Sequence, residues 1–296
     1  MLQRKIGAHV STAGGYYKVA ERAAAIGANC AQLFSSSPRV WHGAWEQKLD
    51  LAKYRAEMEK YGIEPVFTHA LYLVNLASAN PVQVEKSVAA LKQELRFDSA
   101  IGGSGVIVHL GSHLGKGWTA VRDQVAQAIK AILVDTPENS TFLIENSAGQ
   151  NGKVCSDLSE IRWLLDQVAS PRLGWCVDTC HAFAAGFELG AKKSGVGHPK
   201  FSACPGNLVE AIDDLNLWAT LRCIHVNDSK GDFGSGIDRH ENLLEGKIPA
   251  EDFQSFLNQP KTKDLPLILE VPGIKGEGPD AENISCLKDL VRENIT

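Results

Sequence analysis

The strongest constraint on the fold of this chain is a recurrence. Eight short apolar runs return at comparable intervals: "KIGAHV" (5–10), "NCAQLF" (29–34), "EPVFTH" (64–69), "GVIVHL" (105–110), "TFLIEN" (141–146), "LGWCVD" (173–178), "RCIHVN" (222–227) and "LPLILE" (265–270). Seven of them are apolar on both faces, as strands of a parallel sheet covered on both sides are. Helical patterns fill the gaps. "GGYYKVAERAAAIG" (14–27) ends at Gly27 and "EQKLDLAKYRAEMEKYG" (46–62) ends at Gly62, and glycine takes the left-handed turn that follows a helix. Asn80-Pro81 predicts the cap and first turn of a long helix closed by Gly102 or Gly103, a cap followed by proline being a strong start signal. Asp157 with Glu160 predicts a capping box before "IRWLLDQV",. Strand then helix, eight times over, predicts an α/β protein: one (β/α)8 TIM barrel domain over residues 1–296,.

Composition narrows the class. Hydrophobic residues at 44% and charged residues at 22% describe an ordinary soluble globular chain,. No run approaches the roughly 20 apolar residues needed to cross a bilayer. The start, "MLQRKIGAHV", has no apolar core of a secretory signal,, so a cytoplasmic protein without membrane contact is expected. Seven cysteines (30, 155, 176, 180, 204, 223 and 286) are scattered with no CxxC pair, which points to reduced thiols rather than a disulfide framework. The formal net charge of −5 argues weakly against a polyanionic partner,.

The polar residues are informative by position. Seven of the eight runs end in, or just before, a metal-ligand type: His9, His69, His109, Glu145, Asp178, His225 and Glu270. In a barrel those carboxyl ends share one rim, where active sites of this architecture lie. A lone histidine ending a strand is more often a hydrogen-bonded core residue, but burying several carboxylates together without a cation is costly. Two loops add candidates: "VDTCHAFAAG" places His181 three residues after Asp178, and "DRH" supplies Asp238 and His240. Histidine with carboxylate and no thiolate suits catalytic zinc or manganese. His42 and His198 read as surface residues. For His9 and His113 two readings stay open, a group that orients ligands or a structural histidine.

These residues carry a resemblance. "IGAHVSTAGG", "HALYLVNLAS", "VHLGSHL", "IENSAGQ", "VDTCHAFAAGF", "HVNDSKGDFGSGIDRHENLLEG" and "LILE" are together similar to endonuclease IV, the zinc-dependent apurinic/apyrimidinic endonucleases of base-excision repair, from end to end of the chain. The resemblance implies three Zn2+, with Mn2+ able to replace zinc at one site. It gives His69, His109 and Glu145 to one ion; Glu145, Asp178, His225 and Glu270 to a second; and His181, Asp238 and His240 to a third. Glu145 and Glu270 would act catalytically, positioning the attacking hydroxide. The implied reaction is hydrolysis 5′ to an abasic site in double-stranded DNA, leaving a 3′-hydroxyl and a 5′-deoxyribose phosphate, together with trimming of blocked 3′ ends. Arg39, Tyr72 and Leu73 match the side chains that such enzymes insert at the lesion, and a monomer is expected. Three divalent ions would outweigh the formal −5, and Lys230, Arg239 and Lys247 lie in loops able to meet phosphates.

The chain departs from the family at a few places. Ala70-Leu71 stand where Asp-Ser is usual, Leu110 where proline is usual, and Leu244 where glycine is usual. The segment between Asp178 and His225 is also longer. Two rival readings remain. A xylose-isomerase-like sugar isomerase or epimerase would use Glu145, Asp178, His225 and Glu270 around one divalent metal, and would not need His181, Asp238 and His240. A DNA-binding relative with a decayed site would have lost ligands, and none is missing.

Overall fold

The computed structural model describes residues 4–41, 45–190 and 207–291. His42, His198 and Cys204, with part of the long segment after Asp178, lie outside the described residues. Eight parallel strands close into a barrel: β1 (Ile6–His9), β2 (Cys30–Phe34), β3 (Val66–His69), β4 (Val106–Val108), β5 (Phe142–Glu145), β6 (Leu173–Asp178), β7 (Leu221–His225) and β10 (Leu267–Leu269). Each follows its neighbour in sequence, and β1 pairs with β10 to close the ring. A two-stranded antiparallel pair, β8 (Asp228–Ser229) with β9 (His240–Glu241), folds the long loop after β7 back over the rim. Each predicted apolar run coincides with one barrel strand, β7 starting one residue ahead of its run at Leu221, so the expected (β/α)8 barrel is the fold found.

Helices α1 (Lys18–Ala25), α2 (Leu51–Tyr61), α3 (Pro81–Ile101), α4 (Trp118–Val134), α5 (Leu158–Val168), α6 (Thr179–Ala185), α7 (Leu208–Asp214), α8 (Ala250–Leu257) and α9 (Ala281–Leu290) run between and after the strands. Two begin later than the apolar spacing predicts. Gly14 and Gly15 take φ of 82° and 126°, which makes them a turn before α1, and Asp50 caps α2 by accepting from Lys53 N. Asn80 caps α3 and Gly102 ends it at φ 73°, as expected. Asp157 caps α5, but Glu160 Oε2 accepts from Cys155 N, so the predicted reciprocal box does not form.

Alternation along the strands places the functional layer. Cys30, Phe67, Ile107, Leu143, Cys176, Cys223 and Ile268 form an apolar cluster of their own inside the barrel. Side chains repeat on a face every second residue, so the next inward position on each strand is Gln32, His69, His109, Glu145, Asp178, His225 or Glu270. On β1 the same step leads from Gly7 to His9, and a Cβ at Gly7 would collide with the Cys30 carbonyl. The barrel is thus plugged below by apolar groups and ends above in a ring of polar ones. The six cysteines among the described residues are free thiols, as predicted.

Candidate metal centre

Glu145 is the hub of the ring. It is buried, with Oε2 facing His69 Nε2 at 3.3 Å and His109 Nε2 at 3.2 Å. Its other oxygen, Oε1, faces His225 Nδ1 at 3.0 Å and His181 Nδ1 at 3.4 Å. Burial alone would raise its pKa, but His109 and His225 hold the carboxyl well below the usual range. His225 Nδ1 also lies 3.3 Å from Glu270 Oε2 and 3.9 Å from Asp178 Oδ2. His181 Nε2 meets Asp238 Oδ1 at 3.0 Å. His240 Nε2 lies 3.6 Å from Asp178 Oδ2 and 3.8 Å from Asp238 Oδ1.

Tautomers decide whether these contacts fit a cation. A neutral imidazole carries one N–H. His69 Nδ1 donates to Ala70 O at 2.7 Å, His181 Nδ1 to Asn146 O at 3.1 Å, and His225 Nε2 to Gln32 Oε1 at 2.7 Å. When neutral in that tautomer, each ring turns a lone pair toward a carboxylate oxygen. Against burial, the neighbouring anionic groups raise the pKa of all three, so a positive charge, proton or metal ion, lies between ring and carboxylate. His240 Nε2 and His109 Nδ1 are buried with no hydrogen-bond partner. The donor set fits divalent ions. Three groups have ligand atoms within 4.8 Å of one another: His69–His109–Glu145; Glu145–Asp178–His225–Glu270; and Asp178–His181–His240.

All nine predicted ligands thus reach one rim. In the third corner Asp178 also comes near His181 and His240, at 3.7 and 3.6 Å, while Asp238 meets His181 at 3.0 Å and shares itself with Lys153 Nζ at 2.9 Å. A further compact group, Cys176–Cys223–His225, lies beneath His225. The open readings resolve for two histidines. His9 Nδ1 accepts from Gln32 Nε2 at 2.9 Å and stands 3.6 Å from Glu270 Oε1, so it braces the cluster. His113 Nδ1 accepts from the Gly115 and Gly117 amides and shapes its own loop.

Gln32 and Asn227 were not singled out from sequence. Gln32 Nε2 also donates to Glu270 Oε1 at 2.5 Å. Asn227 Nδ2 donates to Asp178 Oδ2 at 2.6 Å, and Asn227 Oδ1 accepts from Glu270 N at 2.8 Å. Both are fully buried amides. The available signal was a polar residue inside an apolar run, two positions beyond an inward one.

Tyr72 stands exposed at the mouth, its ring edge-on to Phe34 at 5.4 Å and 6.1 Å from the His69 ring. Arg39 is exposed on the loop after β2, whereas Leu73 is half-buried and packs on the core. Lys230, Arg239 and Lys247 are exposed, with Lys230 paired to Glu241 at 3.2 Å and Lys247 to Asp232 at 3.9 Å. The departures have physical accounts. Ala70, Leu71 and Leu110 are buried in the main core, and the Ala70 carbonyl itself orients His69. Leu244 adopts φ 66°, the left-handed region natural to the glycine usual there, at a steric cost of roughly 1–2 kcal/mol.

Comparison with known proteins places the chain. Residues 20–290 match a family described as a xylose isomerase-like TIM barrel. A protein of Methanoculleus marisnigri named "Probable endonuclease 4" is 38% identical over 290 residues, covering 96% of this chain and 98% of that one. Its namesake in Halothermothrix orenii is 33% identical, covering 96% and 99%. The crystal structure of endonuclease IV from Thermus thermophilus superposes with a TM-score of 0.79 at 32% identity, over 97% of this chain and 98% of that one. A 3-keto-D-glucoside 4-epimerase from E. coli, at 11% identity and a TM-score of 0.68, shares the fold alone. From these matches, with the rim geometry beside them, the chain belongs to the endonuclease IV family.

Proposed function

We propose that the protein is a metal-dependent DNA repair endonuclease that hydrolyses the phosphodiester 5′ to an abasic site in duplex DNA, and that also trims blocked 3′ ends. The observation that carries this reading is the division of Glu145, whose Oε2 faces His69 and His109 while its Oε1 faces His225. A carboxylate so placed suits two ions at once, and the His181–Asp238–His240 corner suits a third. Zinc is the ion that the histidine and carboxylate donors favour, with manganese able to replace it at one position.

When bound, such ions polarise phosphoryl oxygens and bring the acidity of water near neutrality. The protein's share is arrangement. His69, His109 and His225 hold Glu145 ionised and oriented, and Glu145 and Glu270 position the attacking oxygen and accept its proton. Gln32 and Asn227 fix Glu270 and Asp178 from behind. Tyr72 and Arg39, with Leu73 supporting them, enter the gap left by the missing base, because a phosphate beside a stacked nucleotide cannot reach a rim site. The protein acts as a cytoplasmic monomer with residues 1–296 forming one domain; among the described residues no helix is long and apolar enough to cross a membrane.

A second reading has one observation in its favour. Glu145, Asp178, His225 and Glu270 form a compact four-ligand group, the set a one-metal sugar isomerase would use. The two readings separate on a duplex carrying one abasic analogue, with an undamaged duplex and simple ketoses as controls. Incision only at the lesion, leaving a 3′-hydroxyl, is expected. Sugar turnover with one metal per chain would reverse the assignment.

A further inference from the structure

A cation is built into this carboxylate-rich rim. Lys153 Nζ donates to Asp238 Oδ2 at 2.9 Å, and Gln150 Nε2 reaches the same oxygen at 3.3 Å. The other oxygen, Oδ1, faces His181 Nε2 at 3.0 Å and His240 Nε2 at 3.8 Å. One oxygen of Asp238 is thus committed to an ammonium and the other to the imidazoles. Lys153 lines the main cavity, and its backbone is held there. Ser112 and Lys153 form an antiparallel bridge, His113 N donates to Gly152 O at 3.0 Å, and Val154 N donates to Gly111 O at 3.0 Å. Gly152, at φ 71°, lets this loop pass the His113 ring, which a Cβ there would approach to 2.6 Å. By contrast, Glu145, Asp178 and Glu270 have only imidazoles as ion-pair partners among the described residues.

We infer that Lys153 is a positioning residue that keeps the cation of the His181–Asp238–His240 corner exchangeable, by placing a fixed positive charge on the far oxygen of Asp238. The inference rests on the metal reading of the site. An ammonium bonded to a ligand carboxylate withdraws charge from it and repels a second cation a few ångströms away, a repulsion that solvent screens only in part because the pair is half-buried,. Removing that charge while Gln150 still orients Asp238 strengthens the hold on the ion. The sign is diagnostic. A lysine that merely braced the loop would, when removed, loosen the corner and release metal faster.

The test is release of zinc to a chromophoric chelator from zinc-loaded, desalted protein, counted per chain and timed. Wild type, Lys153→Met, Lys153→Gln and Lys153→Arg are compared, with a thermal melt of each. In the two neutral variants the most readily released zinc should leave about ten-fold more slowly or slower still, whereas Lys153→Arg keeps the wild-type rate because it keeps the charge. Release that is unchanged or faster in both neutral variants overturns the role of Lys153 while leaving the metal centre standing. Wild type that carries no zinc removes the metal reading, and this inference with it.

Discussion

Gln32 Oε1 accepts the Nε2–H of His225 at 2.7 Å, across 193 residues of sequence. Through its amide nitrogen the same side chain holds Glu270, so one uncharged residue orients two of the candidate ligands. It also fixes which nitrogen of His225 faces the carboxylates. Gln32→Leu should lower zinc affinity about 10- to 100-fold, the usual cost of losing a group that orients a metal ligand. Competition with a chelator of known affinity measures it, and unchanged affinity would show that His225 needs no such support.

Glu145→Gln tests the shared carboxylate. The amide keeps the shape but removes the charge between His69 and His109 on one side and His225 on the other. Fewer ions retained per chain and a kcat lower by about a hundred-fold or more are expected, since each ion is worth several kcal/mol in the transition state. Binding to an abasic duplex should largely survive. Wild-type turnover in this variant would contradict a bridging role.

Tyr72 is exposed at the mouth, and Arg39 is exposed on the loop after β2. The double variant Tyr72→Ala, Arg39→Ala should bind an abasic duplex about ten-fold more weakly or worse, because stacking on an aromatic contributes roughly 1–3 kcal/mol per base. Zinc content and melting temperature should hold. Undiminished preference for the abasic over the intact duplex would place lesion recognition elsewhere.

Glu94 makes a prediction about stability and pH. It is buried on α3 with Oε2 unpartnered, and burial, outweighing Ser35 and His69, pushes its pKa up to about 7. Between the ordinary carboxyl value and about 7 the unfolded chain is ionised while the folded one holds a proton, so stability falls as pH rises through that window,. Glu94→Gln removes this dependence. The melting temperature of the variant relative to wild type should therefore be higher at pH 8 than at pH 5. An equal difference at both pH values would mean that Glu94 is ionised throughout.

Much of this centre is legible in sequence because its ligands are chemically conspicuous. His69, Glu145, Asp178 and His225 each interrupt an apolar strand at its carboxyl end, and parallel strands bring those ends together. Gln32 escapes the same reading because its run continues to Phe34 and a neutral amide carries no metal-ligand signal. The sharing of Asp238 between His181 and Lys153 was hidden for another reason. It depends on how the loop after β5 meets the loop after β7, which no local pattern encodes. Helix starts failed where glycines or a capping aspartate delayed a pattern that apolar spacing alone had begun.

The pairing of β1 with β10 joins the first and last barrel strands, and the Gln32–Glu270 bond reaches from β2 over β1 to the end of β10. Barrel closure and completion of the ligand ring are therefore one event. A polypeptide emerging from the ribosome lacks Glu270 until its final strand has been made, and a chain truncated before that strand lacks it permanently. Fragments that end before the last strand would carry most of the candidate ligands yet lack the Glu270 corner of the ring.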